Sequence, residues 1–163
     1  MERRITVMGV SQELQGFLNS SESITDARYA EQVIGIISDE SIDIIFEEAL
    51  GGGRTTAHEL LHSLKSIRYR NIDPHPTAPH DFGFVAEPGR LSSIEVNDEE
   101  AKREDLWCKG IAEQQFESAL VICGYLHTLS IVSRLRTAGF RVKSDYCLPP
   151  DVLSGRRKGK RVS

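Results

Sequence analysis

Cysteine, long apolar runs and, outside one short segment, positive charge are what this chain has little of, and each shortage narrows its class. Only three cysteines occur, Cys108, Cys123 and Cys147. An odd count with no Cys-x-x-Cys spacing points to neither a disulfide framework nor a cysteine zinc site, and a reducing, cytoplasmic setting is expected. No apolar stretch approaches the ~20 residues that span a bilayer, so no membrane partner is expected. The charged opening Glu2, Arg3, Arg4 leads into a run too short for a signal peptide. The formal charge is −4, and five positive charges, Arg156, Arg157, Lys158, Lys160 and Arg161, crowd the final eight residues; without them the body stands at −9. An acidic body argues against a dedicated nucleic-acid binder and leaves the basic tail as the one segment suited to a polyanion.

What is present is enough apolar material, 39% of 163 residues, to close one core. A single domain is expected over residues 1–153, with a basic, disordered tail over 154–163. The run from Arg4 to Gly9 reads as a first strand. Between Thr25 and Ser38, Ala27, Ala30, Val33, Ile34 and Ile37 recur at helical spacing, with Ser23 or Thr25 as cap. Ile42 to Phe46 reads as a strand buried on both faces, ending in Glu47 and Glu48. Ala57, Leu60, Leu61, Leu64 and Ile67 form a second helical stripe, and Tyr69 to Asp73 a short third strand stopped by Pro74. Residues 76–100, with Pro79, Pro88, Gly83, Gly89 and the acidic run Asp98, Glu99, Glu100, read as a loop or lid. A helix weakened by Gly110 is expected from Trp107 to Phe116. The clearest strand is Ala119 to Gly124, followed by a helix with Leu129, Val132 and Leu135 on its apolar face, a stop at Gly139, and a last strand from Phe140 to Lys143. Strand and helix units repeating without hairpin turns predict an α/β fold, three-layered, with a mainly parallel sheet and crossover helices.

In such folds ligands bind outside the carboxyl ends of the strands. Those ends carry Gln12 and Glu13 after the first strand, Glu47 and Glu48 after the second, Asp73 and His75 after the third, and His127 after the fourth. Carboxylates converging with histidine suit a divalent metal, zinc or manganese, that activates water. Glu47 and His127 are the expected ligands, Glu48 shares the catalytic work, and Gln12, Glu13 and Asp73 stand nearby. The competing reading is that the carboxylates cap helices and His127 is a satisfied pocket residue. Cys123 lies inside an apolar run and reads as a packed residue, and Arg134 and Arg136 read as exposed. Gly51, Gly52, Gly53 and Arg54 lack a P-loop ending and read as a flexible turn.

Three places carry a resemblance to a family. Gly9 to Gln12 (Gly-Val-Ser-Gln) resembles the first Gly-x-x-His of the TraB/Tiki superfamily, whose relatives include the ChaN-like and erythromycin-esterase-like proteins. Glu47 and Glu48 resemble its acidic strand end, and Gly124 to His127 (Gly-Tyr-Leu-His) its second Gly-x-x-His. The resemblance implies a metal-dependent hydrolase fold, several members of which lack an established activity. Gln12 stands where the pattern has histidine, and its amide oxygen is a poorer transition-metal ligand than imidazole. That departure leaves room for a non-catalytic binding or interaction protein of the same fold.

A rival motif lies on the second helix. His58, Glu59 and His62 form His-Glu-x-x-His, which sets two imidazoles one turn apart beside a glutamate and resembles the start of a zinc metallopeptidase helix. Both histidines fall off the Ala57, Leu61, Leu64 stripe, and a third ligand would have to come from Asp73, His75 or His80. The substrate and the oligomeric state do not follow from any of these residues.

Overall fold

The computed structural model describes residues 2–11, 27–49, 55–62, 64, 66–73 and 93–148. Among the described residues five strands and four helices alternate: β1 (Arg4–Val10), α1 (Ala27–Glu40), β2 (Ile44–Glu47), α2 (Thr56–His62), β3 (Arg68–Asn71), α3 (Ser93–Ala112), β4 (Ser118–Gly124), α4 (Thr128–Thr137) and β5 (Arg141–Cys147). The strands form one sheet in the order β3-β2-β4-β1-β5, and every neighbouring pair is parallel.

Burial explains the order. β4 and β1 are apolar on both faces and lie inside the sheet, with only the last residue of β4 and the first of β1 less than buried. β3 and β5 carry Arg68, Arg70, Arg141 and Lys143, leave most residues partly or fully exposed, and form the two edges. Charged side chains on edge strands discourage further strand pairing.

The steps β1 to β2 and β2 to β3 run one way across the sheet, and their connecting helices α1 and α2 share a face with Met8, Val10, Ile45, Leu120 and Ile122. The steps β3 to β4 and β4 to β5 run back, and α3 and α4 pack on the other face against Ile5, Val7, Phe46, Val121 and Cys123. A constant crossover hand requires this change of face. α4, after β4, packs on one face, while α1 and α2, after its neighbours β1 and β2, pack on the other. Open α/β sheets bind ligands at such a switch point.

Several sequence expectations shift in detail. α1 buries Tyr29, Val33 and Ile37, whereas Ile34 is exposed; the ring of Tyr29, not a row of alanines, fills that face. Leu129, expected in the core, is 73% exposed, and α4 instead buries Thr128, Ile131, Val132 and Leu135. Gly139, at φ 90°, ends α4 in a Schellman arrangement, with Phe140 N–H donating to the Leu135 carbonyl and Gly139 N–H to that of Arg136. The largest correction concerns α3. It begins at Ser93, so the segment 93–100 is helical rather than loop, and it ends at Ala112 rather than Phe116. Its first turns hold only Ile94 and Val96 as large apolar residues, two apart rather than three or four, so no helical periodicity announces them. No helix among the described residues is long and apolar enough to cross a membrane.

Candidate active site

Side chains alternate across a strand, so Glu47 and Glu48 leave the end of β2 in opposite directions. Glu47 follows Ile45 onto the α1/α2 face, where it is fully buried. Its Oε2 accepts hydrogen bonds from the Tyr69 hydroxyl at 2.6 Å and from Thr55 Oγ1 at 2.5 Å. Thr55 Oγ1 also accepts the His58 amide at 3.2 Å, so one hydroxyl caps α2 and holds the carboxylate. Burial and the neighbouring Glu47 both push the Tyr69 phenol well up, which keeps it a hydroxyl donor. Glu47 and His127, expected to share a metal, therefore stand on opposite faces of the sheet.

Glu48 follows Phe46 onto the α3/α4 face and is 5% exposed. Its Oε2 accepts the Gly124 amide at 2.8 Å. A Cβ at Gly124 would lie 3.4 Å from both Glu48 Oε2 and the His127 ring, which places both side chains against this residue. The other oxygen, Oε1, lies 3.9 Å from His127 Nε2 and 3.7 Å from the Arg103 guanidinium. Burial raises the Glu48 carboxyl above the usual carboxylate range, against the Gly124 amide, His127 and Arg103, which favour its charge.

His127 reaches this point through a tight turn at the end of β4. The Tyr125 amide donates to the Val10 carbonyl and the His127 amide to that of Gly124, both at 2.9 Å. His127 precedes α4 without using its ring as a cap, which leaves the imidazole for other contacts. Nδ1 lies 2.8 Å from Glu104 Oε1, and the ring meets the Trp107 indole edge-on at 5.4 Å between centroids. Glu104, 6% exposed, spends its second oxygen on the Ser130 hydroxyl and on Arg134 Nε at 3.3 Å. A carboxylate only accepts, so Nδ1 carries a proton, and in the neutral ring it is Nε2 that holds the lone pair, on the side of Glu48.

Arg103 completes the group. It donates to Asp73 Oδ1 at 2.9 Å and lies over the Trp107 ring at 5.1 Å. Asp73 is buried, and its amide donates to Asn71 Oδ1, whose side chain also exchanges hydrogen bonds with the backbone of Ala49. One asparagine thus ties the exits of β2 and β3 together and fixes the spacing of Glu48 and Asp73.

Of the residues expected at this edge, Glu48, Asp73 and His127 come together, bridged by Arg103; Glu47 does not join them. Gln12, Glu13, His75 and His80 lie outside the described residues, as do Gly51 to Arg54. Of the rival motif, His58 is half-buried with its ring 4.7 Å from that of Tyr69, rather than free in solvent, and Glu59 stands in the first turn of α2. The His62 side chain lies outside the description. Cys123 is buried and its thiol is pushed well up by that burial, as fits a packed residue. Arg134, expected to be exposed, is partly buried against Glu104 and Asp105.

The sequence reading missed Arg103, Glu104, Trp107 and Ser130 as members of the site. A signal was present: Glu104, Trp107, Cys108 and Ile111 recur at helical spacing and are all buried. A helix begun a turn earlier would have set a glutamate on an apolar face, where it needs a partner.

Among the described residues no group of three His, Cys, Asp or Glu is placed to hold a metal. No family model, no curated protein and no solved structure matches this chain at a significant level. Chemically, the arrangement offers an imidazole oriented by a buried carboxylate, a second carboxyl raised by burial above the usual carboxylate range, and a guanidinium able to meet negative charge.

Proposed function

We propose that this chain is a hydrolase of the kind its resemblance to the TraB/Tiki and ChaN-like proteins implies, working at the carboxyl edge of β4. The observation that carries the reading is His127, with Nδ1 held by Glu104 and Nε2 3.9 Å from Glu48 Oε1, the oxygen that Arg103 also approaches. In the proposed reaction His127 Nε2 takes a proton from the attacking water. Arg103 stabilises the anion that forms, and Glu48, whose carboxyl burial raises above the usual carboxylate range, is the group proposed to pass a proton to the leaving group.

A metal-dependent version has one specific observation in its favour. A histidine that gives its second ring N–H to a carboxylate while its other nitrogen looks toward a carboxylate oxygen is arranged as metal-ligating histidines are. Glu48 and His127 would hold the ion, zinc or manganese, and it would supply Lewis-acid activation of water. The described residues fit this only in part, because Arg103 already brings a positive charge to Glu48 Oε1.

The test is hydrolysis of a panel of nitrophenyl carboxylic and phosphoric esters by the full chain, with and without chelator and added zinc or manganese. Against whichever ester is cleaved, His127→Gln is expected to lose about 10²–10⁴-fold in rate, the usual contribution of a positioned acid–base group. Full activity in His127→Gln contradicts the reading. No turnover of any ester, with no zinc or manganese bound, places the chain with the non-catalytic binding proteins.

A further inference from the structure

The opposite end of the sheet carries a second feature, at the amino edge. On the α1/α2 face the end of β5 is buried at Cys147 whereas its start, Arg141 and Lys143, is exposed among the described residues, and there lies a cleft of about 350 Å³ lined by Arg4, Ile5, Thr6, Glu40, Arg141, Val142 and Lys143. Arg4 and Arg141 are register partners on the neighbouring parallel strands β1 and β5, so their side chains stand side by side on one face. Thr6 and Lys143 form the pair two residues further on. The one acid in the cleft, Glu40, is already engaged by Lys143.

Among the described residues neither Arg4 nor Arg141 has a hydrogen-bond or ion-pair partner in its side chain. Like charges placed directly across a strand pair destabilise it. Two guanidiniums on adjacent strands, in a body of net negative charge, are therefore an arrangement that a bound anion would improve. The cleft has the size of a small-molecule site. Thr6, 3% exposed, is among its lining residues.

We propose that Arg4 and Arg141 form a binding site for a small phosphate-bearing anion. Two planar guanidiniums match a phosphate dianion in charge and present paired N–H donors to its oxygens, which a lysine pair would not. β1 runs from Arg4 to Val10, so this site lies roughly 20 Å from the carboxyl edge, at ~3.3 Å per residue. It is independent of the hydrolase reading and stands or falls without it.

Isothermal titration calorimetry of the full chain with inorganic phosphate, ribose 5-phosphate and succinate, at matched ionic strength in chloride, tests the assignment. Both phosphates are expected to bind, and the tighter of the two tells free phosphate from a phosphate ester. Arg4→Gln and Arg141→Gln are each expected to weaken binding by about tenfold or more. In phosphate-free buffer Arg141→Gln is expected to raise the melting temperature, because it removes the repulsion. No binding of either phosphate by the unmodified chain overturns the proposal. So does affinity unchanged in both variants, or tighter binding of succinate than of either phosphate.

Discussion

Glu47 and Glu48 are neighbours in the chain and opposites in the fold. Glu47 is sealed on the α1/α2 face, with two hydroxyls donating to one of its oxygens; its surroundings are built to keep it in place. Glu48, on the α3/α4 face, has one oxygen held by a backbone amide and the other turned toward an imidazole and a guanidinium. The same side chain, one residue apart, becomes a structural anchor in one setting and a chemical group in the other. The period of two in a strand makes the difference.

The largest expected effect that sharpens this contrast is on stability. Glu47→Ala leaves the Tyr69 and Thr55 hydroxyls without their buried acceptor and is expected to destabilise the chain by about 2–5 kcal/mol, measured by urea unfolding. Glu47→Gln keeps an acceptor and is expected to recover part of that loss. Glu48→Ala, beside the partly exposed Arg103, is expected to lose less stability and more of the hydrolytic rate. Equal stability losses in the two alanine variants would break the comparison.

A smaller effect lies in pH. The Glu48 carboxyl is raised by burial above its unfolded range, so the stability it contributes is fully present below the unfolded pKa and is lost as pH rises through the folded value. Glu48→Gln removes that titration. Relative to Glu48→Gln, the unmodified chain is expected to lose stability as pH rises from the ordinary carboxylate range toward neutrality, read as the difference in urea midpoint. A constant difference across that range contradicts the raised carboxyl. The smallest effect concerns the helix that carries Arg103 and Glu104. A Cβ at Gly110 would meet nothing within 4 Å, so Gly110→Ala is expected to stabilise by about 0.5–1 kcal/mol without changing either glutamate. A melting temperature unchanged or lowered in that variant argues against a regular helix there.

How much of this was legible in the sequence follows from the same physics. The apolar runs of β1, β2 and β4 announced themselves because both of their faces are buried, and their parallel pairing followed from helix-length connections. The carboxyl-edge residues Glu48, Asp73 and His127 were legible as strand ends. The separation of Glu47 from Glu48 was implicit in strand alternation, but grouping residues by strand end, without the face each one takes, hid it. Arg103 was not legible, and Glu104 only through its helical spacing to Trp107, Cys108 and Ile111, because the run just before Trp107 is mostly charged. The arginine pair at the amino edge depends on β1 lying next to β5, and register between strands so distant in the chain is a property of the sheet order.

The central claim is that Glu104 orients His127 so that Nε2 presents a lone pair to Glu48. It is tested most directly by ¹⁵N-detected NMR of the imidazole nitrogens, with the His127 signals assigned by their loss in His127→Gln and read at a pH where the ring is neutral. The account predicts the Nδ1–H tautomer for His127 in the unmodified chain, and loss of that preference in Glu104→Ala. A neutral His127 protonated on Nε2, with the same spectrum in Glu104→Ala, would contradict it.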